Sequence, residues 1–290
     1  MSNSWCPSIL ANRGKAKMSC YTRMDGFRRL RKYWGGNYLP IKKKQSGSCC
    51  SRTWLILGAT SIIAEKYAHE VAKNGHNLIL AGRNLAQLEI IAADLSLRYH
   101  VNCQIIGVDF SHEINNLIKF LQASTMEIDL FIAHAQTTVN NELNYAKIND
   151  LILVNILSTV QIINAYLQKS QTKYHLFFLS SVAACRGRAK NSLYGASKKA
   201  IETYLAGLQQ QAAANHANLL ITIARLGFID TKQTYGLSGI FYVATPTKCA
   251  AKCWQAMSAN KRLLYYPAFW YLLCNIINVL PFFLYKRIKE

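Results

Sequence analysis

The chain has 290 residues, 51% of them hydrophobic, which suffices for the core of one large α/β domain with extensions. The nine cysteines are odd in number, which argues against the disulfide framework of a small secreted protein. Cys249 and Cys253 lie four apart on a predicted helix, with no matching His/Cys pair to complete a zinc site. We therefore expect a cytoplasmic protein with free thiols and no metal.

The formal net charge of +20 is unevenly distributed. Residues 1–52 carry twelve Lys and Arg against one acid, Asp25, a net charge of +11. This segment has no sustained apolar period and lacks the apolar core of a secretory signal. We predict a disordered basic arm over 1–52, and contact with anionic lipid is one candidate role for it. Alternatively, the protein starts later in this sequence, at Met18 or Met24. Nucleic-acid binding is not expected, because no folded reading module accompanies the charge.

The domain predicted over 53–262 begins with a βαβ unit. The segment TWLILGATSIIAEKYAHEVAKNG reads as a buried strand, a glycine turn at Gly58 and a helix capped by Thr60 or Ser61. A second apolar strand, within HNLILAGRN, ends at Arg83. The N-terminus of the first helix is a favourable site for a dinucleotide pyrophosphate.

The rest of the domain alternates strands with helices. Apolar runs predict strands at 53–58, 77–82, 103–109, 128–134, 174–180 and 219–225. Helical patterns lie near 62–74, 84–98, 112–124, 141–169 and 192–215. This alternation predicts a Rossmann-type, doubly wound parallel sheet between two helix layers, in a single domain, with ligands at the carboxyl ends of the strands.

Three residues in the second half of the domain suggest proton transfer. Ser181 ends an apolar strand, and Tyr194 and Lys198 share one face of the next helix because they lie four residues apart. A neighbouring ammonium lowers the pKa of a phenol, which makes Tyr194 a usable acid or base. An isolated Tyr-x-x-x-Lys would be incidental more often than not, so the surrounding sequence decides.

Residues 53–231 resemble the short-chain dehydrogenase/reductase family. The ordered matches are GATSIIA at 58–64, a GATSxIA form of the glycine turn; VDF at 108–110; IAHAQ at 132–136, in place of Asn-Asn-Ala-Gly; VNILSTV at 154–160; Ser181 with YGASK at 194–198; and RLGFIDT at 225–231. Three positions depart from the family pattern: His134 and Gln136 replace Asn and Gly, and Leu226 replaces Pro.

The resemblance implies an NAD(P)-dependent oxidoreductase in which Tyr194 exchanges the proton. Ser181 would hold the substrate oxygen, Lys198 would lower the pKa of Tyr194, and Asn155 would orient a water behind Lys198. The implied cofactor-binding residues are Gly58, Thr60, Ser61, Ile62, Arg83, Asn84, Asp109, Phe110, Ala133, His134, Ala135, Tyr194, Lys198, Gly227, Ile229 and Thr231.

Cofactor choice depends on the end of the second strand. An acidic residue there would accept hydrogen bonds from the ribose of NAD. Arg83 and Asn84 stand there instead, and a guanidinium suits the 2′-phosphate of NADP. NADP(H) is therefore favoured; the alternative is a solvated Arg83 and equal use of NAD(H).

The substrate is indicated by two weaker features. Arg186 and Arg188 follow Ser181 and could attract a phosphate near the pocket mouth, although they also suit a solvated loop. In the segment 263–290, 23 residues between Arg262 and Lys286 carry no charge, and two prolines interrupt them. We predict a hydrophobic C-terminal helix there that lies on a membrane or forms a lip at the active site; burial in an oligomer is the alternative.

These features suit a lipophilic carbonyl substrate. The chain also resembles, more loosely, the decaprenylphosphoryl-keto-pentose reductases, which reduce a lipid-linked keto-sugar alongside a flavin oxidase partner. A general reductase of lipophilic ketones or acyl chains is the alternative enzyme, and a non-catalytic NADP-binding scaffold is the alternative outside enzymes. The family resemblance also implies a homo-oligomer.

Overall fold

Seven parallel strands form the centre of the fold in this computed structural model, which describes residues 52–112, 114–215, 217–231 and 242–288. They are β1 (Thr53–Leu57), β2 (Asn77–Gly82), β3 (Cys103–Gly107), β4 (Ile128–Ile132), β5 (Tyr174–Ser181), β6 (Leu219–Leu226) and β7 (Leu263–Tyr266). Their order in the sheet is β3-β2-β1-β4-β5-β6-β7. Except for Arg52, the predicted basic arm lies outside the described residues.

Helices cover both faces of the sheet. They are α1 (Ile62–Lys73), α2 (Leu85–Tyr99), α3 (Asn115–Ala123), α4 (Tyr145–Ile152), α5 (Ser158–Gln168), α6 (Ser192–Ala214), α7 (Pro246–Ser258), α8 (Trp270–Val279) and α9 (Phe282–Tyr285). Successive residues of a strand point to opposite faces, so Trp54 and Ile56 pack with α1, α2 and α7, whereas Leu55 and Leu57 pack with α3, α5 and α6. This arrangement confirms the predicted three-layer Rossmann-type domain.

The strand order reverses direction at β1. The chain moves from β1 outward to β2 and β3, and then returns to the other side of β1 to form β4. The connections therefore diverge at the carboxyl ends of β1 and β4 and leave a crevice there. The N-terminus of α1 lies beside this crevice, where the sequence predicts a dinucleotide.

The far edge of the sheet differs from the sequence prediction. A helix was expected from residue 263, but the first four residues of that segment form β7, which pairs in parallel with β6 from Ile223 to Leu226. Without β7, the edge of β6 would leave a row of backbone groups unpaired. The short run Leu-Leu-Tyr-Tyr is hard to distinguish by sequence from the apolar helix that follows it.

One helical stretch, Tyr145–Gln168, is long and apolar enough to cross a membrane by length and composition. It comprises α4, a π-helical turn at Leu153–Leu157, and α5. Ile162, Ile163 and Tyr166 of α5 are fully buried in the core beside the sheet. The apolar character of this stretch is therefore that of a core helix.

Candidate active site

A cavity of about 720 Å³ opens at the carboxyl ends of the strands. Most of the predicted site residues line it: Gly58, Thr60, Ser61, Ile62, Arg83, Asp109, Phe110, Ala133, His134, Ala135, Ser181, Tyr194, Lys198, Ile229 and Thr231. A volume of this size is in the usual range for cofactor and ligand sites. The fold thus brings residues separated by more than 170 positions to one crevice.

The glycine turn after β1 forms one wall of the cavity. Gly58 has a φ of +73°, and a Cβ on it would lie 2.8 Å from the main-chain nitrogen of His134, so only glycine fits. Ser61 caps α1 by accepting a hydrogen bond from the Ala64 N–H at 3.5 Å. The remaining N–H groups of the first turn have no partners within the helix and favour an anion at this position.

Ser181, Tyr194 and Lys198 meet at the opposite wall. The Ser181 hydroxyl lies near enough to the Tyr194 phenol to lower its pKa, and it accepts from the Ala183 N–H at 3.1 Å. The Lys198 ammonium lies 6.0 Å from the centre of the Tyr194 ring and donates to the Leu179 carbonyl at 2.8 Å. Helix α6 lies so close to the segment after Ser181 that a Cβ on Gly195 would be 2.5 Å from the Ala183 carbonyl oxygen.

The pKa values of this group differ from the sequence prediction in one respect. Burial raises the pKa of Tyr194 above its usual value, opposed by the nearby Ser181 hydroxyl and by the charge of Arg188. Lys198 was expected to lower the pKa of Tyr194, yet its ammonium contacts the Leu179 carbonyl instead of the phenol. Burial lowers the pKa of Lys198 itself to about 8, opposed by Glu202. Lys198 can therefore lose its proton near neutral pH.

Asn155 lies one layer behind the cavity, in the π-helical turn between α4 and α5. Its amide accepts from the Gln136 N–H at 2.7 Å and donates to the Gln136 carbonyl at 2.8 Å. It also donates to the Ser197 hydroxyl at 2.9 Å. The structure therefore places Asn155 as a brace between the cavity wall after β4 and helix α6. Single turns of π-helix often occur at functional sites.

A buried ion pair that sequence reasoning missed supports the proton-transfer residues. Glu202 is 4% exposed, and its carboxylate accepts from Arg225 at 2.9 and 2.6 Å and from the Ser180 hydroxyl at 2.6 Å. Tyr194, Lys198 and Glu202 follow one another at four-residue intervals, so they lie along the same side of α6. The four-residue interval is the sequence signal that could have indicated Glu202.

The other end of the cavity is shaped by Phe110 and His134. The two rings stack with centres 3.9 Å apart, and the imidazole is hydrogen-bonded to the Thr159 hydroxyl at 3.0 Å. Burial is the main reason that the pKa of His134 falls to about 3, so the ring is neutral at physiological pH. Nearby, Asp109 accepts from the main chain and hydroxyl of Ser111 at 3.0 and 2.7 Å. Arg83 is exposed at the cavity rim.

Besides Asn155, four predicted site residues lie outside this cavity. Asn84 caps α2 by accepting from the Gln87 N–H at 3.1 Å, and Gly227 faces Trp270, whose indole nitrogen would lie 1.9 Å from a Cβ at that position. Arg186 donates to the carbonyl of Ile277 in α8 at 2.5 Å, and to the carbonyl of Leu280, which directly follows α8, at 2.6 Å. Arg188 lines a second cavity.

Other residues of the cavity lining were not predicted. They include Glu65, Gln87, Ser111, Gln136, Asp150 and Ser180. Gln136 replaces a family glycine, so its position in IAHAQ could have indicated contact with the cavity. The others carry no comparable sequence signal. Among the described residues there is no cluster of His, Cys, Asp and Glu that could hold a metal.

Comparison with known proteins agrees with this geometry. A family described as short chain dehydrogenase matches residues 52–238. The chain belongs to this family. Together with the cavity at the switch point of the sheet, the match makes the chain an NAD(P)-dependent oxidoreductase.

Individual relatives are distant. An uncharacterized oxidoreductase of Staphylococcus epidermidis is 27% identical over 190 residues, which are 63% of this chain and 80% of the relative. A solved 7beta-hydroxysteroid dehydrogenase has a TM-score of 0.70 at 17% identity and covers 79% of this chain and 92% of its own. A short-chain dehydrogenase of Sphingobium yanoikuyae in complex with NADPH has a TM-score of 0.68 at 19% identity, covering 82% and 97%. These two structures share the fold.

The described residues fit a nicotinamide dinucleotide. The first turn of α1, which follows the Gly58 turn, supplies N–H groups for a pyrophosphate at the point where the strand order reverses. Asp109 and Phe110 lie toward the second and third strands, and Tyr194 and Lys198 lie beyond β4. A bound cofactor would therefore extend across β1, with its nicotinamide toward Tyr194.

Proposed function

We propose that this chain is an NADPH-dependent reductase of lipophilic ketones. The observation that carries the proposal is that Ser181 and Tyr194 lie together on the wall of a cavity that can hold the cofactor, with the Lys198 ammonium buried beside them. A phenol that is buried and protonated is suited to donate a proton once a negative charge develops next to it.

The chain's residues would act as follows. The Tyr194 phenol donates its proton to the substrate oxygen, while the Ser181 hydroxyl holds the same oxygen. The bound cofactor supplies the hydride to the carbonyl carbon. Lys198 stabilises the phenolate that remains and, with a pKa near 8, can return a proton to it. Asn155 holds the cavity wall at Gln136 in place against helix α6 through its hydrogen bonds to Gln136 and Ser197. In the oxidative direction the same groups would act in reverse.

A second cavity of about 500 Å³ supports a lipophilic substrate. It begins at Val182, directly after Ser181, and extends along α8 and α9. Its lining is mainly apolar: Val182, Cys185, Ala189, Trp270, Cys274, Ile277, Phe282, Tyr285 and Ile288, with Arg186, Arg188 and Lys286 among them. The solved relative that is a 7beta-hydroxysteroid dehydrogenase bears the name of a bulky apolar substrate class.

A lipid-linked, phosphorylated keto-sugar is a narrower version of this proposal. It requires a cation for the phosphate, and Arg186 already holds the carbonyl oxygens of Ile277 and Leu280. Arg188 is the other candidate: its charge acts on Tyr194, it lines the second cavity as Arg186 does, and it donates to the Asn191 side chain at 3.2 Å. A flavin oxidase partner belongs to this narrower version alone.

Tyr194→Phe tests the proposed mechanism. We expect the loss of the hydroxyl to reduce turnover by roughly 10²- to 10⁴-fold, the usual contribution of general acid catalysis, while NADPH binding persists. NADPH oxidation should be followed with a panel of lipophilic ketones and with membrane-lipid extracts, and the products identified by mass spectrometry. Undiminished turnover would contradict the mechanism. A wild-type protein that binds NADPH but reduces nothing would favour a non-catalytic scaffold.

Arg83→Ala tests the cofactor preference. Arg83 is exposed at the cavity rim, where a guanidinium would pair with a 2′-phosphate. We expect the Michaelis constant for NADPH to rise at least about tenfold, in keeping with a charge-assisted hydrogen bond of about 1.5–3 kcal/mol, and that for NADH to change little. Equal changes in the Michaelis constants for NADPH and NADH would show that Arg83 does not bind the 2′-phosphate.

A further inference from the structure

The last two helices expose an unusual amount of apolar surface. Between residues 271 and 288, eight large apolar side chains are at least 41% exposed: Tyr271, Leu272, Ile276, Val279, Phe282, Phe283, Leu284 and Ile288. Here we call this set the α8–α9 face. Soluble monomers rarely expose contiguous apolar surface on this scale without a partner.

The opposite side of α8 is anchored to the domain. Trp270 and Cys274 are 8% and 2% exposed and pack against Val182, with Phe228 and Tyr265 alongside. Leu272, Ile276 and Val279 recur at intervals of four and three residues on the outer side. A helix that is apolar on both sides needs a second apolar environment outside the domain.

The α8–α9 face is also held in a fixed position beside the catalytic loop. Arg186 donates to the carbonyls at the end of α8, and its guanidinium lies 4.0 Å from the centre of the Tyr285 ring. The Tyr285 hydroxyl donates to the Gly187 carbonyl at 2.5 Å. These contacts join α9 to the loop that follows Ser181.

The charges around the α8–α9 face indicate which partner covers it. Lys286 and Arg287 are exposed at its end, and acidic residues are absent from the whole segment 263–289. The basic arm has a net charge of +11, so like charges disfavour its docking here. A second copy of the chain would also bring basic residues against basic residues. A bilayer with anionic headgroups supplies both the apolar interior and the opposite charge.

We propose that the α8–α9 face docks on an anionic membrane surface and lies in the interface without crossing it. Helix α8 has 10 residues, about 15 Å in length, whereas the bilayer core is about 30 Å thick. Pro281 separates α8 from the single turn of α9. Docking in this orientation sets the second cavity and the loop after Ser181 against the bilayer. The docking itself does not depend on the proposed substrate.

Vesicle co-sedimentation of the full chain tests the docking. Phosphatidylcholine vesicles with and without phosphatidylserine should be compared for wild type and Leu272→Glu/Val279→Glu. Ile90→Glu/Leu97→Glu is the matched control, because these side chains of α2 are 71% and 78% exposed on the described surface. We expect wild type and control to bind, the α8–α9 variant to bind at least tenfold more weakly, and Lys286→Gln/Arg287→Gln to lose the preference for phosphatidylserine.

Three outcomes would overturn the proposal. Full binding by Leu272→Glu/Val279→Glu would assign any vesicle affinity to the basic arm. Equal loss in the α2 control would show a nonspecific effect. Failure of wild type to bind, with a smaller particle for the α8–α9 variant in light scattering, would assign the face to a second copy of the chain. NADPH binding by each variant distinguishes all three from misfolding and from failure of the proposed function.

Discussion

At the scale of single residues, Glu202 connects the proton-transfer group to the rest of the domain. Its carboxylate pairs with Arg225 and accepts from Ser180, the neighbour of Ser181, and its charge opposes the loss of a proton from Lys198. Glu202 touches neither the phenol nor the cavity, so it acts as a positioning residue. Its effect should be visible in the pH dependence of the reaction.

Glu202→Gln should move the basic limb of ketone reduction to lower pH. Reduction needs Lys198 in its protonated form. The wild-type rate should therefore fall as pH rises through about 8, the pKa of Lys198. Removing the negative charge destabilises the ammonium, so the limb should shift down by roughly 1 unit. The pH–rate profile checks this, with exposed Glu89→Gln as control. An unchanged limb would mean that Glu202 is purely structural.

The sequence predicted which residues gather at the cavity better than it predicted their surroundings. Ser181, Tyr194 and Lys198 carry strong local signals, because a strand end and a four-residue helical interval place them together. Arg186 shows where such reasoning fails. Its use as a clamp on α8 depends on residues about 90 positions away, and no local pattern specifies that contact.

At the scale of elements, Arg52 ties together three starting points of the sheet. Its guanidinium donates to Asp129 at the start of β4 at 2.7 and 2.8 Å, and to the Lys173 carbonyl just before β5 at 2.9 Å. It also pairs with Glu127 at 2.5 Å. Asp129 is 1% exposed, so its charge needs these partners.

Arg52→Met should lower the free energy of unfolding by about 3 kcal/mol, because it leaves a buried carboxylate without its main partner. Against the effect of burial, His175 and then Arg52 hold the pKa of Asp129 below its usual value. The stabilisation is therefore present above that usual value and is lost as pH falls through the lowered one, so the two proteins should converge in acid. Urea titrations at neutral and acidic pH measure this.

Lys66→Met is the control for Arg52→Met. Lys66 pairs with Glu65 at 2.8 Å, and their side chains are 32% and 26% exposed. Such a pair should be worth less than about 1 kcal/mol. If Arg52→Met behaved like Lys66→Met, the ion cluster would not stabilise the sheet.

The elements themselves were largely predictable. Six strands and the helices between them follow from apolar runs and helical periods, and their ends agree with the structure within a few residues. Two features were not. The π-helical turn at Leu153–Leu157 contains Asn155, which contacts Gln136 and Ser197, and β7 pairs with β6. Both depend on tertiary contacts.

At the scale of the whole molecule, the outer side of α4 and the π-helical turn bears on oligomeric state. Ile148, Ile152 and Leu157 are 41%, 36% and 46% exposed there. The family resemblance implies that this stretch pairs between subunits. Homo-oligomerisation remains a prediction, and these three side chains are its natural contact surface.

Ile152→Glu should convert an oligomer of wild-type chains into monomers, since a carboxylate in a helix–helix interface would be buried without a partner. Multi-angle light scattering gives the particle mass. Ile90→Glu on α2, which is 71% exposed, should leave the mass unchanged. An identical mass for wild type and Ile152→Glu would place any subunit contact elsewhere.

The contact between Gly227 and Trp270 has an optical consequence. The indole lies where a side chain at 227 would be, against the loop that continues to Ile229 and Thr231 in the cavity lining. Trp54 and Trp254 pack on each other, with ring centres 6.0 Å apart, on the α1–α7 side of the sheet. Trp270 is thus the described tryptophan placed to sense movement of this loop. We expect its emission to change when the cofactor binds, and we expect Trp270→Phe to remove that change.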